Sequence, residues 1–205
     1  YGKEFYIEIP NMGRVDLAKL FAELNFNLGA EIGVDRGYYS EILCKANPKL
    51  HLYSVDPWEM AAYEKNIIPT EAGIFGKQEE FNGVYEESKK RLAPYNCTLV
   101  RKYSMDALKD FADESLDFVY IDANHDFTNF INDLHYWLKK VKVGGIISGH
   151  DYTYFSYRKY NHVRRALEAY ARCYRMRPYF VVGAEAMRQP VITRDTYRSW
   201  MWIKT

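Results

Sequence analysis

Apolar positions recur along the chain with two alternating periods, one typical of helices and one typical of buried strands. A helix is predicted over residues 14–25, where apolar side chains occur at i, i+3, i+4 and i+7. Residues 116–121 are apolar nearly throughout, as expected of a strand buried on both faces. Helical and strand patterns then follow one another to the end of the chain.

This alternation predicts an α/β fold with a mostly parallel sheet of seven strands and helices on both faces. The predicted strands cover residues 28–34, 50–55, 98–103, 116–121, 146–148, 179–182 and 200–203. The predicted helices cover residues 14–25, 39–46, 78–93, 127–141 and 158–174. The last two strands are joined by a segment of hairpin length, which indicates an antiparallel pair at the sheet edge.

Residues 59–77 interrupt this pattern, because they show no firm period and contain Pro69, Gly73 and Gly76. Long irregular segments in compact domains are usually lids or binding loops. We therefore predict a lid here. No repeat or low-complexity linker divides the 205 residues, and we expect one domain over residues 1–205.

Charge and cysteine content exclude several classes of protein. The 28 Lys and Arg residues balance 27 Asp and Glu residues, which disfavours a general nucleic-acid binder. The three cysteines, Cys44, Cys97 and Cys173, are too scattered for a disulfide framework or a zinc site. No membrane-spanning run or signal-peptide pattern occurs, so we expect a cytoplasmic protein with no membrane partner.

Two of the predicted strands end in residues suited to binding a nucleotide-like cofactor. The first ends in Glu31-x-Gly33-x-x-x-Gly37, which lacks the G-x-G-x-x-G spacing of a pyrophosphate loop and by itself also fits a plain turn. Asp56 ends the second strand, where an acid can accept hydrogen bonds from both hydroxyls of a ribose. Together they favour a cofactor site at this edge.

Two further strand ends carry carboxylates and imidazoles. Asp122 and His125 follow the fourth strand, and His150 and Asp151 follow the fifth. If the strands are neighbours, these groups converge on one pocket and suit a divalent metal such as Mg²⁺, Mn²⁺ or Fe²⁺. Asp126 has a simpler interpretation, because it directly precedes the best-defined helix as an N-cap.

The sequence as a whole resembles class I S-adenosylmethionine-dependent methyltransferases, and more narrowly the methyltransferase-24 family, whose relatives include sugar O-methyltransferases. The resemblance rests on GAEIGVDRGYYSEIL, LYSVDPW, LVRKYSMDAL, LDFVYIDANHDFTNFINDLHYWLKKVKVGGIISGHDY, HVRRALEAYA and SWMWIKT. It implies a Rossmann-like fold, S-adenosylmethionine as cofactor and O-methylation of a small-molecule hydroxyl, with a divalent metal in some members.

The resemblance also implies roles for individual residues. The cofactor would contact residues from four loops, namely Glu31, Gly33, Gly37, Asp56, Trp58, Ser104, Met105 and Asp122. A metal would be bound by Asp122, His150 and Asp151. The general base would be His125, which matches the histidine that some sugar O-methyltransferases place three residues after the first acid; Asn124 stands where others have an acid.

Three other functions compete with this interpretation. A nicotinamide-dependent dehydrogenase is disfavoured by the loop spacing, and a nucleic-acid methyltransferase by the neutral charge. A non-catalytic binding module is disfavoured because Asp56, Asp122, His125 and Asp151 are all present. The sequence does not identify the methyl acceptor. The aromatic C-terminal strands are compatible with a subunit edge in a homo-oligomer.

Overall fold

The computed structural model describes residues 5–59, 77–153, 161–183 and 197–205. Eight strands occur in these ranges, which we number in chain order: β1 (Tyr6–Ile9), β2 (Leu28–Ile32), β3 (His51–Val55), β4 (Cys97–Val100), β5 (Leu116–Ile121), β6 (Val141–Gly149), β7 (Tyr179–Val182) and β8 (Ser199–Ile203).

The described α-helices are α1 (Arg14–Glu23), α2 (Tyr38–Ala46), α3 (Gln78–Leu92), the short α4 (Ser104–Ala107), α5 (Phe127–Lys140) and α6 (Val163–Tyr174). A 3₁₀ turn, Leu108–Asp110, follows α4 directly. No helix in the described part of the chain is both long and apolar enough to cross a membrane.

All eight strands form one sheet in the order β1-β7-β8-β6-β5-β2-β3-β4. Every neighbouring pair is parallel except the two pairs made by β8, which runs antiparallel to both β6 and β7. The predicted α/β class, with a mostly parallel sheet and an antiparallel C-terminal pair, is confirmed. The sheet has one strand more than predicted, and β1 rather than the C-terminal pair occupies that edge.

The helices cover the sheet on both faces. Successive side chains of a strand point to opposite faces, so each strand packs against helices on both sides. On β5, Phe118 and Tyr120 pack against α1 and α2, with Phe21 stacked on Phe118 at a ring distance of 4.3 Å. Val119 and Ile121 face the other side, in the cluster that contains the buried residues of α5 and α6. The two clusters hold the strands rigidly and so fix where their ends lie.

The helix α5 illustrates why the predicted elements form. Phe130, Leu134 and Trp137 lie on one stripe and are all buried. Asp126 begins the helix as N-cap, its carboxylate accepting a 3.0 Å hydrogen bond from the Thr128 amide.

Several predicted boundaries were wrong. The strand predicted over 28–34 ends at Ile32, and the helix predicted over 158–174 starts at Val163, since residues 161 and 162 are not helical. The strand predicted over 146–148 starts at Val141, because a register shift against β5 lets it continue through Gly144 in a left-handed conformation. The strand predicted over 98–103 ends at Val100, since the helix α4 begins at Ser104. The predicted lid at 59–77 falls outside the described residues, apart from its two end positions.

Candidate active site

The strand order places the candidate site at the carboxyl edge of the sheet between β2 and β5. The chain runs outward from β2 through β3 to β4 and then crosses back to β5 on the other side of β2. Open α/β sheets bind ligands at such a reversal of strand order. Residues 33–37, which we call the Gly33 loop, follow β2 directly, and Asp122 follows β5. The Asp122 amide donates a 2.8 Å hydrogen bond to the Ile32 carbonyl.

Gly33 and Gly37 shape the loop after β2. Both adopt the left-handed region, with φ of 87° and 75° respectively. A Cβ on Gly33 would lie 2.2 Å from the Asp122 carbonyl oxygen, whereas one on Gly37 would meet flexible side chains, Leu92 at 3.1 Å and Arg91 at 3.6 Å. Gly33 therefore permits the loop to lie directly against the end of β5.

Asp56, predicted to bind ribose, also anchors this loop. Its Oδ2 accepts hydrogen bonds from the Val34 and Asp35 amides at 2.9 and 3.1 Å, and its Oδ1 accepts one from the Trp58 amide at 2.7 Å. Burial raises the pKa of Asp56, and the three amides oppose that effect. Since a carboxylate offers about four lone-pair positions, roughly one is left for a ligand hydroxyl.

Trp58 and Glu31 lie beneath the loop. The Trp58 side chain is fully buried, and its indole donates a 2.9 Å hydrogen bond to the Asp35 carbonyl. Glu31 is buried at the end of β2, where it accepts a hydrogen bond from Ser40, and burial raises its pKa well above the usual range. Trp58 thus supports the loop through Asp35, and Glu31 connects the end of β2 to Ser40 in α2.

Ser104 and Met105, predicted near the adenine, begin α4 beside the β4 end. The Ser104 hydroxyl donates to the Asp133 carboxylate and accepts a 2.7 Å hydrogen bond from the Trp137 indole. Met105 is partly buried against the core. The Ser104 side chain is thus engaged with α5.

Asp133 makes the stability of this region depend on pH. The side chain is buried, and burial raises its pKa to about 7 although Ser104 favours the carboxylate. The unfolded carboxyl has a pKa of about 3.9, so protonation favours the native state. This contribution, on the order of 4 kcal/mol, is fully present below about pH 4 and is lost as pH rises through about 7.

We therefore expect Asp133→Asn, which keeps an oxygen for Ser104, to remove most of this loss. Urea unfolding at pH 5 and pH 8 measures it: the native chain should lose stability at pH 8, and the variant much less. An equal loss in both proteins would contradict the assignment.

The carboxylates and imidazoles predicted at β5 and β6 do converge. The His125 Nε2 lies 3.1 Å from Asp151 Oδ2 and 3.8 Å from Asp122 Oδ1. The His150 Nδ1 lies 3.1 Å from Asp151 Oδ2 and 3.7 Å from Asp122 Oδ2. The four predicted side chains thus form one cluster at the strand tips.

The charges in this cluster stabilise one another. Burial opposes the charged form of His125, but Asp151 and Asp122 outweigh it and raise the pKa of His125 to about 10. Burial raises the pKa of Asp151, but His125 and His150 reverse the effect and hold it well below its usual range. In this state His125 carries a proton at neutral pH, so it would have to lose that proton before it could act as the predicted base.

The donor set for a cation differs in one residue from the one predicted. Asp122, His125 and Asp151 each offer one ligand atom within 4.8 Å of the others. Two carboxylates and one imidazole suit Mg²⁺, Mn²⁺ or Fe²⁺. His150, predicted as a ligand, instead points its Nδ1 at Asp151, and its buried Nε2 has no hydrogen-bond partner within the described ranges.

Sequence reasoning missed two residues of the site. Arg14, at the start of α1, places a guanidinium nitrogen 3.7 Å from Asp122 Oδ2. Asn161, just before α6, donates a 3.0 Å hydrogen bond to Asp151 Oδ1. Neither belongs to a strand-tip motif, and only the packing of α1 and α6 brings them here.

Comparison with protein families places this geometry in a wider context. A family model described as a methyltransferase domain matches residues 30–152. The match spans the Gly33 loop, Asp56 and the whole cluster from Asp122 to Asp151. A comparison with curated protein sequences gave no match.

Solved structures share the fold at low sequence identity. The O-methyltransferase TomG from Streptomyces achromogenes, involved in tomaymycin synthesis and in complex with SAM, is 18% identical with a TM-score of 0.61, over 94% of this chain and 80% of TomG. The O-methyltransferase from Bacillus cereus in complex with SAH is 15% identical with a TM-score of 0.61, over 93% of this chain and 80% of that one.

Proposed function

The chain belongs to the methyltransferase domain family, and from that premise we propose that it transfers a methyl group from S-adenosylmethionine to a hydroxyl of a small molecule. The single observation that carries the proposal is the convergence of Asp122, His125 and Asp151 beside the Gly33 loop. It supports the proposal because acid–base groups lie next to the loop that we propose as the cofactor-binding loop. The solved O-methyltransferases with the same fold bind SAM or SAH, which supports the cofactor.

The residues of the loop fit the proposed cofactor. Gly33 and Gly37 let the backbone turn sharply at the β2 end, and Asp56 keeps about one lone-pair position for a ribose hydroxyl. Glu31, Trp58, Ser104 and Met105 then line or support this side of the site. We propose Asp122, at the β5 end, as the residue nearest the methyl donor.

Methyl transfer requires an aligned nucleophile and a place for its proton. S-adenosylmethionine supplies a methyl group on a sulfonium, and its transfer to a hydroxyl releases one proton. Asp151 and Asp122 hold the His125 ring between them, with its Nε2 near both carboxylates. Because the two carboxylates raise its pKa to about 10, His125 can take up this proton only from its neutral form, and its place between them aligns it to do so.

A divalent cation fits the same three side chains, and we propose it as a second component. Asp122, His125 and Asp151 would hold it, and it would lower the pKa of an acceptor hydroxyl. In that case His125 is a ligand rather than a base. The choice between these two roles of His125 decides how the acceptor loses its proton.

We predict that S-adenosylhomocysteine raises the melting temperature of the purified chain and that NAD does not. A ligand at about 100 times its Kd adds about 2.7 kcal/mol, or roughly 5–10 °C for a chain of this size. Mg²⁺ should add a further increase in the native chain that is absent in Asp122→Asn.

These outcomes separate the alternatives. A rise in melting temperature with NAD and none with S-adenosylhomocysteine would contradict the methyltransferase proposal and favour a dehydrogenase. A shift with S-adenosylhomocysteine that Mg²⁺ and EDTA leave unchanged would remove the metal and return His125 to the role of base. In that case His125→Ala should abolish turnover.

A further inference from the structure

Asn161 and His162 bring the start of α6 against both loops of the site. The His162 amide donates a 2.9 Å hydrogen bond to the His125 carbonyl. The His162 Nδ1 accepts a 3.1 Å hydrogen bond from the Phe127 amide. These two bonds fix α6 relative to the loop after β5, and so they fix the position of Asn161 as well.

The Asn161 amide has its orientation determined by two opposite partners. Its Oδ1 accepts a 3.2 Å hydrogen bond from the Val163 amide, and its Nδ2 donates a 3.0 Å hydrogen bond to Asp151 Oδ1. Turning the amide over would place an N–H against an N–H and an oxygen against a carboxylate. Asn161 is therefore held with its NH₂ group facing Asp151.

Asp151 needs such a partner for two reasons. Its backbone lies in the left-handed region with φ of 58°, at the sharp turn that ends β6. The terminal torsion of an aspartate has a broad minimum, so a carboxylate without fixed partners rotates readily. Because Asn161 binds Oδ1, the other oxygen, Oδ2, faces His125 and His150.

We propose that Asn161 is a positioning residue of the active site, which presents Asp151 to the reaction through Oδ2 alone. The consequence of this positioning rests on the proposed function: Asp151 would accept a proton, or bind a cation, through one oxygen only. The acceptor oxygen and its proton then meet a carboxylate of fixed orientation. His162 assists through its bonds to the loop after β5.

The test compares variants that separate the positioning of Asp151 from the local bond between Asn161 and the Val163 amide. Asn161→Ser keeps an oxygen that can accept from the Val163 amide, but its side chain ends one bond short of the nitrogen that reaches Asp151. Asn161→Asp keeps the acceptor and replaces the donor by a second carboxylate facing Asp151. Asn47→Ser is the matched control: Asn47 also accepts from an amide, Lys49 N at 3.0 Å, and donates to a carbonyl, Phe26 O at 2.8 Å, in a loop before β3.

The readout is the set of ring-nitrogen signals of the histidines in long-range ¹H–¹⁵N spectra of the full chain. Both Asn161 variants should shift the signals of His125 and His150 and leave those of His51 and His135 in place. Asn47→Ser should shift neither His125 nor His150. Unmoved His125 and His150 signals in a folded Asn161 variant would overturn the proposal.

A purely structural role is also distinguishable. If Asn161 acts only through its bond to the Val163 amide, Asn161→Ser should keep both the melting temperature and the ring signals, because a serine oxygen can accept the same bond. Failure of the proposed function shows elsewhere, as a native chain that does not bind S-adenosylhomocysteine. The ring spectra need neither cofactor nor substrate and therefore decide the positioning role in either case.

Discussion

Replacing Gly33 by alanine is expected to reduce the affinity for S-adenosylhomocysteine by roughly 100-fold, the loss that a displacement of about 1 Å can cause in a positioning group. The reason is steric, because the new Cβ would lie 2.2 Å from the Asp122 carbonyl oxygen and 2.6 Å from the Ala123 Cα. Both neighbours are backbone atoms, which cannot rotate away. The loop must therefore move off the end of β5.

Stability should fall as well, through two additive causes. An alanine in the left-handed region costs about 1–2 kcal/mol, and forcing atoms into a filled space costs about 1–3 kcal/mol more. Gly144→Ala separates them: Gly144 has a similar φ of 80°, but nothing lies within 4 Å of the position of its Cβ. That variant should lose only the first amount and bind S-adenosylhomocysteine normally.

Calorimetric titration with S-adenosylhomocysteine and urea unfolding of both variants measure these effects. Equal losses in Gly33→Ala and Gly144→Ala would show that backbone strain alone matters at Gly33. The close approach of the loop to β5 would then have no part in binding.

The elements that the sequence predicted well are those whose causes are local. The apolar stripe of α5 and its N-cap lie within a few residues of one another. A short stretch of sequence that contains Asp126, Phe130 and Leu134 is therefore enough to predict the helix. The strand β1 was missed because it is short and only partly buried, and because its partner β7 lies more than 170 residues away. Pairing over such a distance leaves no trace in a short window.

The candidate site likewise has a part that the sequence predicts and a part that depends on distant contacts. Residue types at strand ends predicted that Asp122, His125, His150 and Asp151 converge, since parallel strands end at one edge. The detailed roles depend on distances between loops. The high pKa of His125 arises from Asp151, which follows another strand, and from Asp122, and Asp151 in turn accepts a hydrogen bond from Asn161.

Asp56 shows how one residue can have two uses that sequence alone does not separate. Its position at the end of β3 predicted a ribose ligand, and this role is still a proposal. The structure adds three backbone amides, those of Val34, Asp35 and Trp58, which depend on its carboxylate. Removing Asp56 should therefore damage both the loop and the cofactor site.

We expect Asp56→Ala to lose several kcal/mol of stability and all measurable binding of S-adenosylhomocysteine. A partly buried amide left without an acceptor costs about 1–3 kcal/mol. The bonds from the Val34 and Trp58 amides are partly buried, whereas the bond from Asp35 is exposed and adds little. Asp56→Asn should fall between the native chain and Asp56→Ala, because one oxygen still serves Val34 and Asp35 while the new NH₂ group faces the Trp58 amide. Urea unfolding and calorimetric titration measure the order.

Asp117 provides the matched control at the opposite end of β2. Its Oδ2 accepts from the Asn27 and Leu28 amides at 2.8 and 2.9 Å, so Asp117→Ala also strips backbone amides of their acceptor. Because this end of the sheet lies away from the Gly33 loop, the variant should lose stability but keep its affinity for S-adenosylhomocysteine. Full binding by Asp56→Ala would restrict Asp56 to a structural role and transfer the ribose contact to another residue.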